Sequence, residues 1–511
     1  RAAYNAGELN NIIKEIDENN LPEEYRGRFS AAKEQAIFLE NGLNEFVDLV
    51  KNLRIILGGE EDKRYLLVFQ NNAEARPTGG FIGSFALVDF KNGEIKNLEV
   101  PTGGSYDTEA GLHRTVEAPE PFHLVDPLWH FWDANWWPDW PTSARKLEWF
   151  YEKSNGPTVD GVISFTPAVM ERILGAIGPI EMPEYGLTMT KENFWENTRS
   201  AIEEGKAEFE AGQKATSTSA VAEKPKKIIG DLMAKMIKEI PNRLNKETLA
   251  GLIKVFEDDL EEKHILIYFN NEDLQTKFAS YGWDGGLKKA SKDYLSVVST
   301  NIAGGKSDRK VKETIYHETE IMPDGSIINT VKIERFHDSL KFVDSSGVRN
   351  VNWLRVYVPL GSKLIEASGF EKPSEIYFAK PEAIYEKDQD IAKAERTAII
   401  DAASGTKIYV ESGKTVFDNW SMVDPGGTAV IYLKYQLPFK IALEEKKGLF
   451  DKISGVFKSD DKNIYTYSLF AQKQSGSFNQ SKIESKLKLP PGMKIDWNYP
   501  ENAAVNGSGW E

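Results

Sequence analysis

The stretch "VDGVISFTPAVMERILGAIGP", Val159 to Pro179, decides how the chain is to be read. "VDGVISF" has the apolar, β-branched content of a buried strand. At Thr166 the pattern changes to helical spacing, with a proline near the first turn. It stops at Gly178–Pro179, as a helix terminus does. A strand feeding directly into a helix is the signature of an α/β layer.

The same signature extends upstream. "RYLLVFQ" (Arg64–Gln70) and "SFALVDF" (Ser84–Phe90) read as buried strands, "KNGEI" (Lys91–Ile95) as a hairpin turn, and "KNLEVP" as the strand that follows. Downstream, "KATSTSAVAEKPKK" (Lys214–Lys227) is polar and poor in large apolar residues, which predicts an exposed linker over 205–227. Ile229, Leu232, Met233, Met236, Ile237 and Ile240 then form a helix face, and "KHILIYFNN" (Lys263–Asn271) returns to strand. This strand echoes "YLLVFQNN" at Tyr65–Asn72; both end in Asn-Asn, as two strands turning at one sheet edge would.

Residues 1–57 read as two helices. Ile12, Ile13 and Ile16, then Leu39, Leu43, Phe46, Val47 and Val50, recur at helical spacing around a break at Asn20–Pro22. Beyond Val311 helical patterns become scarce. "KVKETIYHETEIMPDGSIINTVKIERF" is a hairpin closed by Pro-Asp-Gly, and "WLRVYVPLG", "TAVIYLKYQLP", "IYTYSLFAQKQSG" and "KIESKLKLPPG" continue as short strands. The expected fold is therefore α+β and multidomain. A helical stalk covers 1–57, an α/β layered domain 58–310, and one or two β-sandwich modules 311–511.

The chain has 511 residues, 41% of them hydrophobic, a net charge of −15 and no cysteine. Its length suggests about three domains. The acidic balance argues against a general nucleic-acid or anionic-membrane binder. Disulfides, thiolate metal sites and a cysteine nucleophile are excluded. The chain begins at Arg1 without methionine and has no apolar run of 18 or more residues, so a soluble, bounded piece is expected. Any membrane anchor would then be a missing N-terminal segment.

Two stretches could carry chemistry. In "RPTGGFIGSF" (Arg76–Phe85) the glycines Gly79, Gly80 and Gly83 would let backbone N–H groups approach a ligand, with Arg76 as the partner for phosphate or carboxylate and Thr78 and Ser84 beside it. The alternative is a glycine-rich corner in a sheet. The second stretch, "PFHLVDPLWHFWDANWWPDWP" (Pro121–Pro141), holds Trp129, Trp132, Trp136, Trp137 and Trp140. These could stack on sugars, line a lipid groove or pack a long loop onto the domain. No fixed metal-ligand spacing such as His-x-x-x-His supports a metal site. "GGKS" at Gly304–Ser307 is not a phosphate-binding loop, and "GFIGSF" lacks the spacing of a serine-hydrolase elbow.

Several phrases in order, "LLVFQNNAEARPTGGFIGSF", "DANWWPDWPTSA", "VDGVISFTPAVMERILGAIGPI", "YGWDGGL" and "NIAGGKSD", resemble the large bacterial family known as domain of unknown function 4012. Members of that family look like surface proteins. The α/β part is also distantly similar to the LytR-CpsA-Psr phosphotransferases, which move glycopolymers from a polyprenyl-pyrophosphate carrier to the cell wall. By that resemblance Arg76 takes the place of a pyrophosphate-binding arginine. Two departures stand out. Pro101-Thr102-Gly103 replaces Pro-Arg-Asp, and Gly83-Ser84 stands where an aspartate is expected. The ligand-binding set implied is Arg76, Thr78, Gly79, Gly80, Gly83, Ser84, Asn135, Trp136 and Trp137.

Two functions follow as expectations. One is an extracytoplasmic cell-envelope protein, structural, adhesive or surface-assembling, which self-associates or holds a cell-wall glycopolymer or polyprenyl phosphate and needs no cofactor. The other is a phosphotransferase or pyrophosphatase on polyprenyl-pyrophosphate-linked glycopolymers, with Asp107 or Asp139 as base or Mg²⁺ ligand.

Overall fold

A computed structural model describes residues 1–203, 226–342, 345–441, 465–478, 481–500, 503–506 and 509–510. It is an α+β protein with several mixed sheets, and its residues form two compact units: 1–65 with 87–99, and 66–86 with 100–511.

In the first unit α1 (Ala2–Lys14) folds back along α2 (Glu23–Ile56). Ala6 and Ala36 are buried between them, and the Asn10 amide donates to the Ala36 carbonyl at 3.2 Å. The break falls where Asp17 accepts a cap hydrogen bond from the Asn19 amide and Pro22 precedes the second helix. Much of the helical apolar residue set faces outward: Leu39, Phe46 and Val50 are exposed. The end of α2 is clamped to the turn between β2 (Phe81–Lys91) and β3 (Glu94–Glu99). Asn92 and Gly93 take positive φ, as a two-residue hairpin turn demands, and their amides donate to Gly58 and Leu57. Arg64 closes the clamp on Asp89 with two bonds of 2.6 and 3.0 Å.

In the second unit the α/β sheet has the order β2, β1 (Lys63–Asn71), β4 (Gly161–Phe165), β7 (Ile265–Phe269). β4 and β7 pair antiparallel, from Gly161 opposite Phe269 to Phe165 opposite Ile265. Before β4 comes α3 (Trp140–Lys153), capped by Asp139; after it, Thr166 leads into α4 (Pro167–Ile177), which ends at Gly178 with φ +87°. A two-stranded sheet of β5 (Ile180–Met182) and β6 (Leu187–Met189) follows, then α5 (described over 194–203), α6 (Lys227–Arg243) and α7 (Lys246–Glu261). Ile228, Leu232 and Met236 recur every four residues on α6 and are buried against Leu174, Met189 and Phe194; each such burial stabilises by about 1.5–3 kcal/mol. Of the expected linker 205–227, residues 205–225 lie outside the described residues.

After α8 (Glu272–Ser280) the chain enters two large sheets. The strands are β8 (Asp293–Asn301), β9 (Val311–Ile321), β10 (Ser326–His337), β11 (Asn350–Pro359) and β12 (Lys363–Ser368). Helix α9 (Gln389–Arg396) precedes β13 (Ile399–Ile400), β14 (Lys407–Glu411), β15 (Lys414–Val423), β16 (Thr428–Lys440), β17 (Leu469–Ala471), β18 (Lys482–Lys488), β19 (Val505–Asn506) and β20 (Gly509–Trp510). Their orders are β12-β16-β10-β9-β18-β20-β19 and β13-β14-β15-β11-β8-β17. One core joins both: Val331 and Leu433 from the first meet Leu295, Val356 and Phe417 from the second. The Pro-Asp-Gly turn closes β9 on β10, with Gly325 at φ +80°. Among the described residues no helix is long and apolar enough to cross a membrane.

The C-terminal segment ties these parts together. The Gln472 carboxamide accepts from the Lys288 amide and donates to the Gly286 carbonyl; the Gln474 carboxamide bonds both backbone groups of Ser299 and the Arg76 carbonyl. Gly476 accepts from Asn72, and a Cβ there would sit 2.6 Å from Gly79 Cα. Thus "AQKQSG" is a side-chain clasp, and of the short strand expected over "IYTYSLFAQKQSG" only the three residues of β17 form a ladder.

Candidate functional site

The glycine-rich stretch of residues 76–85 is built from the end of β1, a tight loop and the start of β2. The loop's backbone donors point inward. Gly79 N–H donates to the Arg76 carbonyl at 2.9 Å, Gly80 N–H to Gln70 Oε1 at 3.1 Å, and Phe81 N–H to the Glu74 carbonyl at 2.9 Å. Gly80 admits no side chain, since a Cβ would lie 2.1 Å from the Asn71 carbonyl oxygen. This is a corner whose amides are already spent on the protein.

Beneath the corner lies a buried amide network with Gln70 at its centre. Gln70 donates to Thr78 O and Ser164 Oγ, and it accepts from Thr78 Oγ1, Gly80 N and the Asn135 amide. Asn135 also reaches Thr78 Oγ1 and Gly80 O, so Thr78 and Asn135 hold the loop's shape. Gln70 gave no signal in the sequence beyond closing a strand.

Arg76 is 3% exposed and saturated. Its Nε donates to Asp133 at 2.9 Å, Nη2 to Glu74 at 3.1 Å, and Nη1 to the Ala75 and Asn301 carbonyls; Phe81 and Phe122 flank the guanidinium, each ring centroid 5.4 Å away. Two carboxylates share one cation in the interior. Burial raises both the Glu74 and Asp133 carboxyls above their ordinary range, against the lowering pull of Arg76. The structure therefore places Arg76 in an internal ion cluster.

The tryptophan stretch is likewise interior. Trp129, Trp136, Trp137 and Trp140 are buried, Trp129 packing edge-on to Phe150, and Trp136 covering the Arg355 guanidinium at 4.3 Å. Trp132 is half-buried between His130, stacked at 4.2 Å, and Tyr106. Asp139 caps α3, accepting from Thr142 Oγ1 at 2.6 Å, and braces the Leu287 amide at 3.0 Å. Asp107 accepts from Gly103 N–H at 2.9 Å.

Beside this sealed corner opens a cavity of about 830 Å³. β1, β2 and β4 supply one side; α4, α5 and α6 supply the other. Its walls are largely apolar: Phe69, Phe165, Met170, Phe194, Ile229 and Met233 all face it. Its polar lining includes Glu74, Ser84, Asp107, Thr198, Lys226 and Lys306. Lys226 Nζ donates to the Gly83 carbonyl and lies 4.5 Å over the Tyr106 ring, while Lys306 pairs with Glu203 at 3.6 Å. Arg199 is engaged by Glu196 and Glu203. Two hydroxyls on this lining, Ser84 Oγ and Thr198 Oγ1, are shielded from solvent and have no hydrogen-bond partner among the described residues.

Of the residues singled out from sequence, the structure brings Gly83, Ser84 and Asp107 to the cavity. Thr78, Gly80, Asn135 and Arg76 build the corner beside it, with Gly79 in the same loop; Trp136, Trp137 and Asp139 lie outside its lining. Sequence reasoning missed Glu74, Lys226, Lys306 and Thr198. Apolar residues of α6 were legible as a helix face, though not as a cavity wall.

No curated protein matches the chain. Residues 60–202 match the model of the family described as "Protein of unknown function (DUF4012)".

Proposed function

We propose that this chain is a non-catalytic, extracytoplasmic cell-envelope protein whose α/β part holds an amphipathic ligand, a polyprenyl-phosphate-like molecule, in the 830 Å³ cavity. The observation that carries this reading is the juxtaposition of an apolar cavity with a corner whose arginine and amides are already occupied. The tail would lie along Phe69, Phe165, Met170 and Met233, and the head would meet Ser84, Lys226 and Lys306. On this reading the α/β part is a distant relative of the LytR-CpsA-Psr fold that binds without turning over. The shared core of the two large sheets supports a β-sandwich reading of the C-terminal half, which presents surfaces for glycopolymer or for self-association. The buried tryptophans count against sugar stacking in the α/β part.

One observation favours the phosphotransferase alternative. Glu74 lines the cavity with a carboxyl raised by burial, as a general acid or base would be. A combined binding and phosphate-release assay with farnesyl phosphate and farnesyl pyrophosphate, with and without Mg²⁺, separates the two. Saturable binding without release supports the receptor reading. Release that disappears in Glu74→Gln, with binding intact, establishes the enzyme, and no binding of either compound overturns both.

A further inference from the structure

The loop at 72–80 has a second cavity on its other side. Asn72, Ala75 and Gly79 contribute to a crevice of about 250 Å³ that runs between the two large sheets, with Leu295 and Val297 on one wall and Ile315 and Ile483 on the other. At its base Arg335 and Glu313 face each other across β10 and β9. Arg335 is 1% exposed. Its Nη1 donates to Ser421 Oγ at 3.3 Å and its Nη2 to Asn350 Oδ1 at 2.8 Å, but Nε has no acceptor among the described residues. Glu313 stands 3.6 Å from that Nε, beyond a good hydrogen bond, and among the described residues receives none. Asp308, also in the lining, is engaged by the Ala75 amide and by the Asn301 and Asn350 side chains.

We propose that this crevice binds a small neutral molecule made of a primary carboxamide on a compact apolar body. The base offers one unpaired donor beside one unpaired acceptor. A primary carboxamide carries its C=O and a syn N–H side by side, so it can accept from Arg335 Nε–H and donate to Glu313 together. A trans secondary amide points the two groups in opposite directions and satisfies only one. The lining mixes both signs, Arg335, Lys473 and Lys482 with Glu313 and Asp308, so a ligand of either net charge meets like charge as well as opposite and gains less than a neutral group that satisfies both sides of the base. Burial raises the Glu313 carboxyl and lowers the Arg335 guanidinium, and the attraction of each for the other only partly opposes this. Leu295, Val297, Ile315 and Ile483 supply the apolar walls. This inference is independent of the amphiphile reading.

The test uses an isosteric series on the whole chain: benzamide, benzoate and benzamidine, titrated by calorimetry and by ligand-observed NMR. Ile483→Trp is the blocking variant, because Ile483 lines the crevice yet is 45% exposed on β18, so the larger ring has room to fold. Val297→Trp fills the opposite wall. The expected result is saturable benzamide binding, at least tenfold weaker binding of both charged analogues, and at least tenfold loss in Ile483→Trp with an unchanged melting temperature. Equal binding of all three, no benzamide binding, or full retention by a folded Ile483→Trp each overturns the proposal. If Val297→Trp fails to fold, Ile483→Trp alone decides.

Discussion

Arg76→Ala is the perturbation that separates an internal brace from a ligand-binding arginine. The guanidinium is enclosed by Glu74, Asp133 and two carbonyls, and it is 3% exposed. Removing it leaves two buried carboxyls without their counter-charge, a change that typically costs about 3–5 kcal/mol. The cost must depend on pH. In the wild type burial already raises both carboxyls, and Arg76 is the main lowering influence on each. Without it both rise further, so the native variant binds protons more tightly than its unfolded chain. Stability then falls as pH rises above the ordinary carboxylate range. Urea melts of wild type and variant between pH 5 and pH 8 should show a deficit that is smallest at pH 5 and widens towards pH 8. Glu74→Gln and Asp133→Asn added to Arg76→Met should recover much of it. A variant that loses less than about 1 kcal/mol at pH 8 while losing ligand binding would refute the brace and restore Arg76 to a ligand.

Three further outcomes follow. Gly80→Ala should cost about 1–3 kcal/mol or more, because its Cβ would overlap Asn71, whereas Gly83→Ala, with nothing nearer than 3.9 Å, should melt near wild type; thermal melts check both. Burial pushes the Asp418 carboxyl up to about 7, so the folded wild type loses stability as pH rises from about 4 through 7. Asp418→Asn removes that loss, and its stability relative to wild type should climb by about 1.4 kcal/mol per unit of the shift between pH 4 and pH 8, read by chemical melts. Gln70→Leu should cost about 2–4 kcal/mol, because it removes the acceptor of Gly80 N–H and of the Thr78 hydroxyl and the donor to Thr78 O and Ser164 Oγ, and proteolysis should then open the loop at 72–80.

Local chemistry in the sequence predicted the local structure well. Pro167 and Gly178 bound α4, Asn92–Gly93 set one hairpin, Pro323–Gly325 set another, and the break at Asn20–Pro22 separates the N-terminal helices. What remained hidden depends on distant pairing. Nothing near Arg76 announces Asp133, which lies 57 positions away, or the Asn301 carbonyl, 225 away. A buried and a solvated arginine read alike in one sequence, and the same holds for Trp136 and Trp137, whose burial is decided by neighbours from later strands. "AQKQSG" looked like strand, yet glutamine carboxamides replace the ladder there. The cavity was illegible because its walls come from six elements, each of which presents an ordinary apolar face.

The most direct test of the central claim is a farnesyl phosphate titration of wild type against Met233→Trp. Met233 lines the cavity from α6 without belonging to its fully buried core, so the larger ring should occupy the ligand's volume in a folded protein. The wild type should bind saturably and one-to-one, and the variant should lose at least tenfold in affinity at an unchanged melting temperature. Equal affinity in both folded proteins would contradict it, because the amphiphile would then be bound somewhere other than this cavity.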